Sequence, residues 1–328
     1  MPGPRHAAPP VPSPWTGDRG GHLWAKDHEV VRGDGTRIRY TVRGPQDGPW
    51  VVGVAGYLCP DNFWRDLAPD LARDHRVVLL NYRGIGASTE AGGGRLPTRA
   101  SDYEIPHLAG DVAAVLDDLE ARDVTCIGHS MGVQVALALW HDRPDLVGAL
   151  TLVAGAYASP FARMYGSGVG SVIFPFVSMA GAAAPRALTR RLMRAIELPV
   201  ALPVGKRLQA IGELTPLAGM TPYRAHLSRV DPRTAIWTAR GMHTYDPTAW
   251  LHLVDVPTTV IGGDRDGWCP VEVNEELAAA IPGARLEIVE AASHTLPLEH
   301  PELVLTHVRR LTGRPAPPRD EVAMGTGQ

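Results

Sequence analysis

The chain has 328 residues, 45% of them hydrophobic, and its 32 basic and 35 acidic side chains give a formal net charge of −3. This length can bury a large core in one α/β domain with an insertion or in two small domains. The near-neutral charge offers no broad electrostatic attraction to nucleic acid or to an anionic membrane. Three cysteines whose spacing fits neither a disulfide framework nor a zinc site predict a reducing, cytoplasmic location and no bound metal.

Both ends of the chain are rich in proline, glycine and small residues, and we expect residues 1–27 and 313–328 to be a disordered leader and tail. The leader lacks the apolar segment of a signal peptide. The longest uncharged stretch, residues 164–185, contains Pro175 and several glycines, so the sequence predicts no transmembrane segment there.

Short apolar runs alternate with helical patterns from residue 28 onward. Residues 29–32 and 36–43 flank a Gly-Asp-Gly turn and predict a hairpin. Further strands are predicted at residues 51–55, 77–80, 124–127, 150–153, 258–261 and 286–289. Helices are predicted at residues 63–73, 109–119, 130–141, 271–280 and 302–311. Apolar strands that are each followed by a helix predict an α/β fold, with a mostly parallel, doubly wound sheet covered by helices on both faces.

About a hundred residues separate the predicted strands at 150–153 and 258–261, far more than the ~2–6 residues of an ordinary connection. This interval has a helical pattern at residues 187–196, and Pro199 and Pro203 are expected to break helices. We interpret residues 157–251 as a helical cap, inserted into a catalytic domain of residues 28–156 and 252–312.

The sequence Gly128-His129-Ser130-Met131-Gly132 lies between a predicted strand and a predicted helix. Small residues at both ends of a G-x-S-x-G sequence permit a sharp turn that exposes the serine hydroxyl. The free N–H groups of the new helix point at the same spot. This setting predicts Ser130 as a nucleophile; the alternative is a glycine-rich turn in which Ser130 only caps the helix.

A nucleophilic serine needs a base, and the base needs an acid that orients it. His294 follows the last predicted strand and is the candidate base. Asp264 and Asp266 both follow the strand at 258–261, and either is a candidate acid.

The oxyanion of an acyl-transfer reaction needs hydrogen-bond donors. We expect one donor to be the backbone N–H of Met131, directly after the nucleophile. The second is the backbone N–H of Tyr57, since Gly56 lets the loop after the strand at 51–55 approach the substrate closely.

These motifs together resemble the α/β-hydrolase family, in its capped branch with a serine nucleophile, over residues 28–311. The resemblance is carried by residues 128–132, 81–88, 263–266 with Pro270, and 293–294 with 299–302. In the family's G-x-x-D-x-x-x-P pattern the acid is the third residue after glycine, which selects Asp266 over Asp264. The order Ser130, Asp266, His294 is the chain order of the family. Two positions depart from the family pattern: Ala55 stands where histidine is usual, and Asn81 where aspartate is usual.

The resemblance implies hydrolysis through an acyl-enzyme, without a metal or an organic cofactor. We expect the bond cleaved to be a carboxylic ester, a thioester or a lactone. C–C bond hydrolysis, acyl transfer, perhydrolysis or another tailoring reaction could use the same triad. A ligand-binding receptor with a vestigial triad is the alternative from another class. Haloalkane dehalogenases and epoxide hydrolases of this fold use aspartate in place of Ser130, which disfavours both.

The expected partner is a small acyl substrate, largely apolar, and no nucleic acid is expected to bind. Candidate pocket residues are Tyr157, Trp237, His243 and Trp268. The uncharged stretch 164–185 has two interpretations. It lines the pocket under the cap, which we favour, or it forms an interfacial surface for lipid substrates. The sequence leaves the oligomeric state open.

Overall fold

The computed structural model describes residues 24–88, 96–166, 168–207 and 211–314, so most of the expected leader and tail lie outside the described residues. The strands are β1 His28–Val31, β2 Arg37–Arg43, β3 Trp50–Val54, β4 Arg76–Leu80, β5 Val124–His129, β6 Val147–Val153, β7 Thr258–Gly263 and β8 Arg285–Val289. They form one sheet in the order β1-β2-β4-β3-β5-β6-β7-β8. Strand β2 pairs antiparallel with both neighbours, and the other pairings between described strands are parallel. The predicted hairpin and the mostly parallel sheet are thus confirmed.

Eleven α-helices are described. They are α1 Ala68–Leu71, α2 Ile105–Asp118, α3 Met131–Asp142, α4 Val169–Ala183, α5 Arg186–Arg194, α6 Ala201–Arg207, α7 Leu217–Leu227, α8 Pro232–Thr244, α9 Val271–Ala280, α10 Leu296–Glu299 and α11 Pro301–Thr312. Helices α4 to α8 lie in the long connection between β6 and β7 and form a helical insertion at the place where the sequence predicts a cap.

Apolar side chains on both faces of the sheet explain why its central strands lack alternation. Val52 and Val260 belong to a core shared with α2 and α3, whereas their neighbours Val51 and Ile261 belong to a second core shared with α1 and α11. Each residue of β5 and β7 is buried. The continuous apolar runs in the sequence therefore reflect helices packed on both sides.

Prolines account for the clearest differences between the predicted and observed helices. In place of the predicted helix at residues 63–73, the chain forms a 3-10 turn at Asp61–Trp64 and the single-turn helix α1. Pro69 in α1 has no N–H to bond to the preceding turn, so the helix cannot extend backwards through it. Conversely Pro203, predicted to break a helix, lies in the first turn of α6, where an N–H has no partner in any case.

Pro175 lies inside α4, so the uncharged stretch forms a helix despite its proline and glycines. No single helix of the described residues has the length and apolar character needed to cross a membrane. The bent pair Val169–Ala183 and Arg186–Glu197 meets those criteria only when both helices are taken together.

Residues 24–27 correct the expected boundary of the leader, because they pack against the domain. The Nζ of Lys26 is buried and donates hydrogen bonds to Asp61 Oδ2 at 2.5 Å and to the carbonyl oxygen of Leu79 at 3.1 Å. Burial lowers the pKa of Lys26 and raises the pKa of Asp61, and each charge is offset by the other. This ion pair joins the start of the described chain to the segment after β3.

Replacing Lys26 by methionine is expected to lower the free energy of unfolding by about 3–5 kcal/mol, because the Asp61 carboxylate would remain buried without its cation. The matched control is Lys206, the other lysine of the chain, which pairs with Glu213 at the surface. Lys206→Met is expected to cost less than about 1 kcal/mol. Urea unfolding followed by circular dichroism measures both values, and equal losses in the two variants would contradict this assignment.

Candidate active site

The turn between β5 and α3 holds Ser130 in a backbone conformation that few residues other than glycine adopt. Its φ is 56° and its ψ is −120°. Gly132 makes the turn possible, because a Cβ at that position would lie 2.0 Å from the carbonyl oxygen of Val54 at the end of β3. The turn directs the Ser130 side chain away from the sheet, as the G-x-S-x-G pattern predicts.

Three side chains from distant parts of the sequence form a continuous hydrogen-bonded row. The Nε2 of His294 lies 2.9 Å from Ser130 Oγ, and its Nδ1 lies 2.9 Å from Asp266 Oδ2. Because Nδ1 faces a carboxylate, it carries the imidazole proton, which leaves Nε2 free to accept a hydrogen bond from the Ser130 hydroxyl. The structure thus brings Ser130, His294 and Asp266 together in the arrangement expected of a nucleophile, a base and an acid, in that order.

The position of Asp266 separates it from the competing candidate Asp264. Asp266 is buried, and its Oδ1 accepts hydrogen bonds from the backbone N–H groups of Trp268 at 2.8 Å and Cys269 at 2.9 Å. Asp264 is exposed at the end of the strand. The two backbone bonds fix the carboxylate, so that its second oxygen points at the His294 ring.

One group of potential metal ligands among the described residues coincides with this row. The ligand atoms of Asp266, Cys269 and His294 all lie within 4.8 Å of one another. Burial, together with the nearby Asp266 charge, raises the pKa of Cys269 well above its usual range. Both Asp266 oxygens already accept hydrogen bonds, and the two ring nitrogens of His294 face Asp266 and Ser130, so the hydrogen-bonded row engages two of these three groups.

The loop after β3 lies directly against the nucleophile. A Cβ on Gly56 would be 3.0 Å from Ser130 Cβ, so only glycine allows this approach without displacing a neighbour. Tyr57 follows Gly56, and Met131 is the first residue of α3, where an N–H has no partner within the helix. Met131 is thus the chain neighbour of Ser130, and Tyr57 is the chain neighbour of the glycine that approaches Ser130, so both stay predicted oxyanion donors.

A second histidine, His129, supports the His294 loop and was not predicted from the sequence. Burial and the nearby His294 lower the pKa of His129 to about 3, so its ring is neutral at pH 7. Its Nε2 lies 2.9 Å from the carbonyl oxygen of His294, and a neutral ring donates its proton there. The Phe63 ring stacks on the His129 ring, with 4.4 Å between the centroids.

Glu299 is hydrogen-bonded to the same loop. It was not predicted as a functional residue, although it forms part of a family motif. Its carboxylate accepts hydrogen bonds from the N–H and Oγ of Ser293, both at 2.7 Å, and from Thr295 Oγ1 at 3.0 Å. Thr215 of the insertion donates a further bond at 2.8 Å. Hydroxyl residues on both sides of His294 are the sequence signal for such an acceptor.

The departure from the family pattern at Asn81 has a local physical reason. The Asn81 amide Nδ2 donates to Asp61 Oδ1 at 3.3 Å, and its Oδ1 accepts from the N–H of Ala87 at 3.1 Å. An aspartate at position 81 would place a second carboxylate against Asp61. Asparagine avoids that repulsion and supplies the donor that Asp61 needs.

The structure does not bring the four predicted pocket residues together. Trp268 stacks on the His294 ring with 5.7 Å between the centroids, and Tyr157 and Trp268 both pack against the small buried cluster around Cys269. The Nδ1 of His243 is hydrogen-bonded to Ser159 Oγ at 2.8 Å. The same side chain lines a cavity of about 260 Å³ between α4 and α8. Trp237 packs against the Tyr103 ring, because it lies on a different face of α8 from the residues that face the site.

A cavity of about 420 Å³ lies instead between the loop after β3 and helices α5 and α8. Its lining is almost entirely apolar. The residues are Tyr57, Leu58, Thr189, Leu192, Met193, Ile196, Leu227, Pro232, Ala235 and Ile236. The Tyr57 hydroxyl donates to the carbonyl oxygen of Ala235 at 2.8 Å and so ties the loop to the insertion. Sequence patterns could not identify these residues, since an apolar helix face that lines a cavity looks like one that packs in a core.

The depressed pKa of His129 predicts a pH-dependent contribution to stability. Below about pH 6.5 the unfolded chain protonates this histidine while the folded chain does not until about pH 3, so its contribution falls as the pH falls. The free energy of unfolding of the wild type minus that of His129→Gln should therefore decrease by about 2 kcal/mol from pH 7 to pH 5. Urea unfolding at the two pH values measures the difference, because all other titrating groups are common to both proteins. Parallel pH profiles would refute this prediction.

Comparison with known proteins gives curated relatives along most of the chain. The putative carbamate hydrolase RutD of Pseudomonas savastanoi pv. phaseolicola is 28% identical over 257 residues, which cover 78% of this chain and 90% of that protein. The putative 2-succinyl-6-hydroxy-2,4-cyclohexadiene-1-carboxylate synthase of Bacillus subtilis is 27% identical over 282 residues, or 84% of this chain and 94% of that protein.

Solved structures and a family model agree with the fold. The enol-lactonase from Burkholderia xenovorans LB400 superposes with a TM-score of 0.67 at 20% identity, covering 87% of this chain and 100% of that one. Residues 52–172 match the model of the alpha/beta hydrolase fold family. This match, together with the eight-stranded, mostly parallel sheet, identifies the chain as an enzyme with the alpha/beta hydrolase fold.

Proposed function

We propose that this hydrolase cleaves a carboxylic ester, a thioester or a lactone through an acyl-enzyme on Ser130. The observation that carries the proposal is the hydrogen-bonded row from Asp266 through His294 to Ser130, with 2.9 Å at each step. A serine hydroxyl is a weak nucleophile on its own and becomes reactive when an oriented base accepts its proton. The names of similar proteins, which include hydrolases, esterases and an enol-lactonase, support the same class of reaction.

In the proposed first step His294 accepts the Ser130 proton at Nε2 while Oγ attacks the substrate carbonyl carbon. The charge that develops on the imidazole is stabilised by Asp266, whose position is fixed by two backbone N–H groups. The tetrahedral oxyanion accepts hydrogen bonds from the N–H groups of Tyr57 and Met131. His294 then protonates the leaving group, which departs as an alcohol, a thiol or the opened lactone's hydroxyl.

In the second step a water molecule replaces the leaving group. His294 accepts a proton from this water, which attacks the acyl carbon and restores the Ser130 hydroxyl while the carboxylic acid is released. The chain needs no metal ion or organic cofactor for either half-reaction in this proposal, because the base, the acid and the oxyanion donors are its own groups.

The proposed substrate is a small acyl compound whose acyl group is largely apolar. The cavity of about 420 Å³ is lined by Tyr57, which follows the glycine that approaches Ser130, and it carries no charged side chain. An alkyl or aryl group in this space would be removed from water without burying an unpaired polar group. We assign the helical insertion the role of a cap, since α5 and α8 form most of the cavity wall.

The cysteines Cys59, Cys126 and Cys269 are unpaired and buried, which supports the proposed cytoplasmic location.

The two neighbouring aspartates give a matched test of the mechanism. Asp266→Asn should lower kcat for a short p-nitrophenyl ester by about 10⁴-fold, because the amide cannot stabilise the imidazole cation. Asp264→Asn is the control, and its kcat should stay within about twofold of the wild type because Asp264 is exposed.

Ser130→Ala should remove both turnover and labelling by a fluorophosphonate. Wild-type activity in Ser130→Ala would exclude the acyl-enzyme, and tight ligand binding without any labelling of the wild type would favour a receptor.

The position of Met193 in the cavity wall predicts a change in chain-length preference. Met193→Trp should raise KM for a p-nitrophenyl octanoate at least about tenfold, because the indole occupies space that a long acyl chain needs. The acetate ester should be affected less than about twofold. Met179→Trp is the control for introducing an indole into the insertion, because Met179 is exposed and does not line this cavity. Equal effects of Met193→Trp on both esters would place the acyl chain elsewhere.

A further inference from the structure

Helix α4 exposes an apolar face on the outside of the insertion. Val169, Val172, Ile173, Phe176 and Val177 are each more than half exposed and follow one another at helical spacing, and Phe176 also borders the cavity of about 260 Å³. We call these five residues the outer face of α4. No charged residue occurs between positions 164 and 185. Single exposed apolar residues are ordinary, but a contiguous face of this kind marks an interaction surface.

The opposite side of α4 packs against the rest of the insertion. The outer face is therefore not exposed because the helix lacks contacts. Phe174 stacks on Phe161 with 3.9 Å between ring centroids. Gly181 lies against Ile236 of α8, where a Cβ would be 3.0 Å from the isoleucine Cδ1. The inner side of the uncharged stretch therefore packs within the insertion, and the outer face needs another explanation.

Helix α5, which follows the bend after α4, is cationic on its outer side. Arg186, Arg190, Arg191 and Arg194 are all exposed, and Arg190 alone of the four pairs with a described acidic residue, Asp231 at 3.5 Å. The other side of α5 carries Thr189, Leu192 and Met193 of the large cavity. We call the four arginines the arginine face of α5.

Charge is distributed unevenly along the chain. Residues 164–207 contain six basic residues and one acidic residue, so this segment carries +5. The whole chain carries −3, which leaves −8 for the remainder. The composition argument against an anionic membrane therefore fails for this segment, because the near-neutral total conceals a strongly cationic part.

An anionic bilayer surface matches both the apolar outer face of α4 and the arginine face of α5. Its acyl region accepts apolar side chains, and its headgroups attract arginine at about 1 kcal/mol per residue. Nucleic acid would match the arginines but leave the outer face of α4 in water. A second copy of this chain would cover the apolar face but bring two segments of +5 together, since a two-fold interface uses the same patch twice.

We propose that the outer face of α4 and the arginine face of α5 form a docking surface for an anionic lipid bilayer. The apolar side chains enter the boundary between headgroups and acyl chains, while the arginines contact the lipid phosphates. Because α5 also forms a wall of the large cavity, docking brings this cavity next to the bilayer. The proposal concerns binding, and it holds whichever reaction occurs at Ser130.

Vesicle flotation tests the proposal. The full chain should float with vesicles of equal parts phosphatidylglycerol and phosphatidylcholine and should not float with phosphatidylcholine alone. Binding should weaken when the salt concentration rises from 0.1 M to 1 M, since the Debye length falls from about 10 Å to about 3 Å. Ser130→Ala should bind as the wild type does, which separates docking from catalysis.

Two pairs of substitutions divide the surface into its parts. Arg191→Gln with Arg194→Gln should weaken binding to the anionic vesicles by about 30-fold, from the loss of two headgroup contacts. Ile173→Ser with Phe176→Ser should weaken it at least about tenfold, because less apolar area is buried. Leu253→Ser and Arg310→Gln are the controls: both residues are exposed outside the insertion, and both variants should bind like the wild type.

Circular dichroism verifies that each variant is folded, and fluorophosphonate labelling gives a second check for the variants that keep Ser130. The proposal is overturned if the wild type does not float with anionic vesicles, or if both double variants bind as tightly as the wild type. It is also overturned if sedimentation equilibrium shows a dimer that Ile173→Ser with Phe176→Ser dissociates, because the apolar face would then belong to a second copy.

Discussion

The close approach of two backbone segments beneath Ser130 is the constraint on which the site depends. Gly132 at the start of α3 leaves no room for a methyl group beside the end of β3, and Ser130 is held at a positive φ. Such a conformation costs about 1–3 kcal/mol and persists only where the surroundings enforce it. Residues 131–140 of α3 and the whole of β5 are buried, so the turn cannot relax without unpacking the centre of the sheet.

The order of the strands explains how one edge of the sheet assembles the remaining groups. Strands β5, β7 and β8 are parallel, and the segments after their carboxyl ends carry Ser130, Asp266 and His294 respectively. Strand β6 lies between β5 and β7, and the insertion leaves the sheet from its carboxyl end. The insertion therefore starts between Ser130 and Asp266 along this edge, which is why its helices lie beside the site.

The sequence was sufficient for those parts of the molecule that depend on local chemistry. The apolar runs predicted the parallel sheet, and the glycines around Ser130 predicted its sharp turn. Three features could not be predicted, because they depend on pairs of residues far apart in the sequence. The contact of His129 with the carbonyl oxygen of His294 spans 165 positions, and the bond from Lys26 to Asp61 spans 35. The cavity wall is the third feature, because the face of α5 that lines the cavity is set by the packing of the insertion against the loop after β3.

The hydrogen bond from Thr215 to Glu299 links two parts of the molecule that have different tasks. Thr215 belongs to the insertion, and Glu299 holds the residues on both sides of His294. A displacement of the insertion near Thr215 must either break this bond or pull on the loop that carries the base. The position of the insertion and the alignment of the His294 imidazole are therefore mechanically linked through this bond.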